Sequence, residues 1–186
     1  MTLLILGVLL WMGAHFLKRL APGLRHSMQE KMGDGSKVVI ALLLVLSIVL
    51  MVIGYRSADS AFFWGRNPAT VGINNLLMLL AVALFGLGSS KSRFRAHMRH
   101  PMLAGVAVWS IAHLLVNGDT ASFILFGGLA AWALAEMALI NRAEPDYTPF
   151  DGGTAKGDVR LVIISLVVYA VFAGIHTLLG YNPFGA

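Results

Sequence analysis

The stretch at residues 99–119, RHPMLAGVAVWSIAHLLVNGD, decides how the chain is read. From Pro101 to Val116 only Ser110 and His113 interrupt a run of apolar and small residues. Proline suits the first helical turn, where its missing N–H is not needed, and Asn117-Gly118-Asp119 is a turn signal. The stretch therefore reads as one apolar helix with polar punctuation at both ends. An imidazole inside it is the anomaly. Ionisable groups at membrane depth are costly, face the bundle interior and mark a functional site by default.

Working outward, five further apolar runs appear: 2–20, 37–55, 71–88, 120–140 and 159–180. A helix needs about 20 mostly apolar residues to cross a bilayer. Only 12% of the 186 residues are charged, against about 25% in soluble domains, and mean hydropathy is +0.77. These observations predict an all-α, polytopic membrane bundle of about six spans in a single domain, 1–186. The first twenty residues lack a basic start, and Lys18-Arg19 stands where a signal peptide would have its cleavage site, so they are read as a retained span. The absence of cysteine excludes disulfides and thiolate-bound metal.

All but Arg56 and Arg66 of the fourteen Lys and Arg residues fall in the loops after the first, third and fifth runs, or at the edges of those loops. Cytoplasmic loops carry the excess of Lys and Arg. That side is predicted cytoplasmic, with both termini outside. The pI of 9.9 thus comes from short membrane loops; the partner it implies is the bilayer, not nucleic acid. No phosphate-cradling loop, HExxH or nucleophile elbow occurs, which excludes soluble-type kinases and hydrolases.

Of six histidines, His26 and His97 lie in basic loops and read as solvated. His15, His113 and His176 fall within spans. An aromatic precedes each by one helical turn, on the same face: Trp11, Trp109 and Phe172. Small residues accompany them. The plain reading is close helix packing with neutral, hydrogen-bonded imidazoles. The sharper one is a flat ligand between aromatic walls, because imidazoles on facing helices are how a bundle holds haem iron. The ring nitrogen away from iron would then need an acceptor. At about 1.5 Å per residue, His15 lies to the cytoplasmic side of mid-membrane and His113 to the outer side, which suits a ring lying flat between them. His176 lies nearer the depth of His113, which suits a more upright ring. Spacing leaves both pairs open.

The residues from Arg99 to Gly128 also resemble the NnrU family of bacterial membrane proteins: Arg-His-Pro-Met, a Gly, a Trp, His-Leu, Asn-Gly-Asp, a Ser and Leu-Phe-Gly all occur. The resemblance extends to His15, to the GYR ending the second run and to the C-terminal HTLLGYNPF. It implies a bacterial inner-membrane location and an association with denitrification. The same superfamily includes 15-cis-zeta-carotene isomerase, and the resemblance implies haem b with iron held by His15 and His113, His176 being the alternative ligand. It implies isomerase-like or redox chemistry on a polyene, another apolar lipid or a gas. The isomerase has a cysteine three residues before its second ligand. Here Ser110 stands there, so ligand exchange by a thiolate is impossible.

Around this site Trp11, Arg99, His100, Trp109, Ser110, Asn117 and Asp119 are expected to line a pocket or its rim. Arg99 and His100 would bind an anion or anchor the helix at the interface. Asp119 or Thr120 would cap the fifth span, with Ser122 nearby. Asn74 and Asn75 are expected to bond across helices, and Glu136 to pair with an inward base. Two other readings stand beside the haem protein. One is an isoprenylcysteine-type methyltransferase, which shares Arg-His-Pro and a glycine at the place of Gly105, but has a tyrosine where this chain has Leu103 and a paired-Glu motif this chain lacks. The other is a non-catalytic membrane assembly factor.

Overall fold

The computed structural model describes residues 1–185. The chain forms helices α1 (Thr2–Leu20), α2 (Pro22–Met32), α3 (Gly35–Arg56), α4 (Pro68–Leu87), α5 (Pro101–Val116), α6 (Thr120–Ala143) and α7 (Ala155–Leu178). Helices α1, α3, α4, α6 and α7 are long and apolar enough to cross a membrane; α5 is equally apolar but has only 16 residues. The result is an all-α membrane bundle.

Hydrogen bonds between connectors show that the helices alternate in direction. At one end, Arg19 in the last turn of α1 bonds Glu144 after α6, Arg99 before α5 bonds the Glu144 carbonyl, and the Thr154 amide before α7 donates to Lys91 O after α4. At the other end, strand β1 (Phe62–Trp64), between α3 and α4, pairs antiparallel with β2 (Gly118–Asp119), between α5 and α6. There, too, Asn75 Nδ2 reaches Pro183 O and Arg66 reaches Asn182 O beyond α7. The first end carries the basic loops.

The packing order runs α3–α1–α6–α5–α4–α7. Small residues let backbones approach, as expected where lipid offers no hydrophobic drive between helices. A methyl group at Gly54 of α3 would strike the Leu4 backbone of α1. The apolar core gathers Leu4, Val8, Met51, Leu129, Trp132 and Ala133 where α1, α3 and α6 meet. Outward faces of α3 and α7 remain apolar and exposed, including Val45, Val49, Val167 and Val171, which in a bilayer is the lipid-facing surface.

Helix ends follow local chemistry. Asn67 and Thr70 form a capping box with Pro68 in the first turn of α4. Pro101 opens α5. Asp119 caps α6 by accepting from the Ser122 amide at 2.9 Å. Thr154 caps α7 by accepting from the Gly157 amide, so this helix starts four residues before the predicted apolar run.

Two features depart from expectation. The polar stretch after α1 is not a plain loop but the helix α2, started by Pro22 and ended at Gly33, whose φ of 54° few other residues adopt. Gly118-Asp119 is extended, not a tight turn, because it pairs with β1. Trp64 lies so flat over Gly118 that any Cβ would enter its ring.

Candidate functional site

The three intramembrane histidines share one geometry. His15 Nδ1 lies 2.9 Å from Trp11 O, His113 Nδ1 3.0 Å from Trp109 O, and His176 Nδ1 2.8 Å from Phe172 O. A carbonyl only accepts, so Nδ1 carries the proton in each ring. In the neutral ring Nε2 is then the bare lone pair, the atom a metal takes. Among the described residues no protein hydrogen bond engages Nε2 of any of the three.

Aromatic rings hold the first two in place. His15 sits between Trp11 and Trp132, with ring centroids 4.4 and 4.5 Å away. His113 stacks on Phe126 at 4.6 Å and lies 4.9 Å from Trp109. Trp11, Trp109 and Trp132 line an almost wholly apolar, open-sided cavity of about 470 Å³ bordered by α1, α3, α4, α5 and α6. This falls within the roughly 300–1,000 Å³ typical of ligand pockets. Among the described residues, Arg56 is the one charged residue lining it. His15 and His113 lie one turn beyond their tryptophans, His15 toward the basic end and His113 toward the other, and neither lines this cavity. The indole N–H groups of Trp11 and Trp132 are buried without an acceptor among the described residues.

A second cavity of about 340 Å³ opens nearer the end opposite the basic loops, between α4, α5 and α7. His113 and His176 both line it, with Arg66, Asn74, Asn75 and Asn117. The structure thus brings the alternative pair into one cavity and sets His15 and His113 on either side of another.

Tyr55 of α3 lines both cavities. Its hydroxyl is 2.9 Å from Ser122 Oγ, and Ser122 Oγ donates to Asp119 Oδ2 at 2.7 Å. The serine's single proton is committed to the carboxylate, so Tyr55 is the donor in the first bond. Beside it, residues Phe123–Gly127 of α6 form a π-helical segment. Such segments occur often at functional sites. This one turns Phe126 onto His113 and Trp109 while Leu125 faces the tryptophan-lined cavity.

The remaining expected residues sort as follows. Asn117 lines the second cavity and donates to His113 O at 2.8 Å. Asp119 lines neither inner cavity; it acts through Ser122. Ser110 is fully buried, lines neither, and its hydroxyl has no partner among the described residues. Arg99 and His100 lie far from the inner cavities and join α5 to the end of α6: Arg99 to the Glu144 carbonyl with its guanidinium over Tyr147, and His100 Nε2 to Asn141 Oδ1 at 2.8 Å. Asn74 bonds across helices as expected, to Ala112 O at 2.7 Å, whereas Asn75 reaches the C-terminal tail. Glu136 has a buried carboxylate oxygen with no partner among the described residues, so the expected ion pair is not formed. Tyr55, Arg56, Arg66, Phe126 and Trp132 join the expected residues at the two cavities. Trp132 had a readable signal: it stands among small residues, like Trp11 and Trp109. Among the described residues no cluster of three or more His, Asp or Glu side chains suits a metal ion; axial ligation of a porphyrin asks for only two imidazoles.

Neither a curated protein nor a solved structure matches the chain. The family profile described as NnrU protein matches residues 3–183, nearly its whole length. With its helical bundle and the motif that runs through α5 into α6, the chain belongs to the NnrU family.

Proposed function

We propose that the chain is a haem b protein of the bacterial inner membrane, whose iron His15 and His113 would hold. The observation that carries this reading is the paired Trp-His unit. In α1 and in α5, Nδ1 is committed to the tryptophan carbonyl, Nε2 is free, and both tryptophans face one apolar cavity. The antiparallel course of the two helices puts one histidine beyond each end of that cavity. The orphaned indole N–H groups and Arg56 offer donors and positive charge for carboxylates or carbonyls at a ligand's edge. A bound haem would supply iron for redox, gas-binding or Lewis-acid chemistry.

The chain's own residues would do the rest. The three tryptophans exclude water, and Tyr55, tied through Ser122 to Asp119, holds the partition between the cavities. Helix α3 packs on α1 and α2 rather than on α4, so an apolar polyene or lipid has a sideways route between α3 and α4, both of which line the tryptophan-lined cavity. Denitrification-linked gas chemistry at the same site is the companion reading. The excess of Lys and Arg at one end supports a cytoplasmic position for that end, in a reading with six spans and both termini outside.

A second ligand pair, His113 with His176, is favoured by their shared cavity and by Arg66 beside it. The visible spectrum of protein purified with haem supplementation tests both. A Soret band with sharp reduced bands is expected, abolished or strongly shifted in His113→Ala. Loss in His15→Ala with retention in His176→Ala supports the first pair; the reverse supports the second. A colourless preparation that binds a methyl-donor cofactor overturns the haem reading for a methyltransferase. A colourless preparation that binds neither leaves the assembly factor.

A further inference from the structure

At the basic end, where α4 ends and α7 begins, a groove of about 530 Å³ lies outside the site described above. Its upper wall holds Lys91, Lys156 and Arg160 together with the hydroxyl residues Ser89 and Ser90; its lower wall, deeper along the two helices, is Gly86, Leu161 and Ile164. Charge lies above and hydrocarbon below, within two helical turns.

Acids near the groove do not neutralise it. Asp158 accepts from Ser92 Oγ at 2.7 Å, from the Arg93 amide at 2.8 Å and from Arg93 Nε at 2.7 Å. Its oxygens are engaged on the side of the Arg93 turn. Among the described residues, Lys91, Lys156 and Arg160 pair with no carboxylate. The frame is also fixed. Gly157 is pressed so closely onto the Lys91 carbonyl that no Cβ would fit, and the Thr154 amide donates to that same carbonyl at 3.0 Å. Three cations with no carboxylate partner among the described residues therefore border one slot at the end of the apolar helices.

We propose that this groove binds the phosphate headgroup of an anionic glycerophospholipid, with an acyl chain against Gly86, Leu161 and Ile164. Charge complementarity selects the head and the apolar lower wall selects a lipid over a free anion. Basic residues near a membrane surface each contribute measurable attraction to acidic lipids, and three converging on one slot turn a general attraction into a site. The bound lipid joins α7, the least buried of the five long helices, to α4.

The test uses the full chain reconstituted in nanodiscs of mixed phosphatidylcholine and phosphatidylglycerol, extracted gently and assayed for co-purifying lipid by native mass spectrometry. Phosphatidylglycerol is expected to be retained over phosphatidylcholine. The triple variant K91Q/K156Q/R160Q, altered only at exposed side chains, should lower that selectivity by roughly a hundredfold. K18Q/K31Q/R142Q, which removes equal charge from the same end, should leave it near wild type. Three results overturn the proposal: unchanged retention in the first variant, equal loss in the second, or displacement of the lipid by millimolar inorganic phosphate. The last would make the groove a free-anion site.

Discussion

Tyr55 shows how one side chain can serve two cavities. Its ring is fixed by a chain of bonds in which every proton has one destination: Tyr55 to Ser122, Ser122 to Asp119. Tyr55→Phe removes the first bond; Ser122→Ala removes both and leaves a carboxylate oxygen short of a donor. Hydrogen bonds between membrane helices are worth about 0.6 kcal/mol on average, and an unmet acceptor costs about 1–3 kcal/mol. Tyr55→Phe is therefore expected to destabilise slightly and Ser122→Ala clearly. The double variant should melt no lower than Ser122→Ala alone, because the tyrosine hydroxyl has already lost its acceptor. Additive losses in thermal melts would show that Tyr55 is not held through the serine.

The elements are joined at the basic end by Arg19 of α1 and Glu144 after α6, 2.8 Å apart. The hydrogen bond and charge of Arg19 hold the Glu144 carboxyl below its ordinary value of 4.5. A group whose folded pKa is depressed adds stability above its unfolded pKa and loses it as pH falls through the lower, folded value. Glu144→Gln should therefore melt below wild type at neutral pH, with the gap closing under pH 4.5. A gap that stays constant on acidification would show that packing, not charge, accounts for it. The helical runs were legible because each is a long apolar stretch between polar punctuation, and α5 matches its expected span at both ends. The short helix α2 escaped because it is a polar helix with no apolar run to mark it, although Pro22 and Gly33 bound it, and the β1–β2 pair escaped because it joins segments far apart in sequence. Phe62–Trp64 has no partner until α5 ends near it, and only then does Gly118 explain itself as the floor under Trp64. Likewise the histidines could be singled out from their place in apolar runs, and so could the need for an acceptor at the second ring nitrogen. Which two share a cavity depends on the packing order α3–α1–α6–α5–α4–α7, which no local pattern encodes.

On the scale of the whole molecule, the proposed sidedness of the two cavities and of the lipid groove depends on which end faces the cytoplasm. The alternating helices put Asp59 in the connector between α3 and α4 at one end, and Lys31 on α2 at the other; both are exposed. The chain has no cysteine, so single-cysteine variants report without background. Asp59→Cys is expected to react with a membrane-impermeant maleimide in intact spheroplasts, and Lys31→Cys only after lysis. The reverse pattern would overturn the positive-inside assignment. Reaction of both in intact cells would mean that the bundle does not separate the two ends. With Lys31 inside, Arg66 and the cavity shared by His113 and His176 would lie nearer the outer surface. The phospholipid groove then faces the cytoplasmic leaflet, where anionic lipids generate the negative surface potential that attracts basic residues.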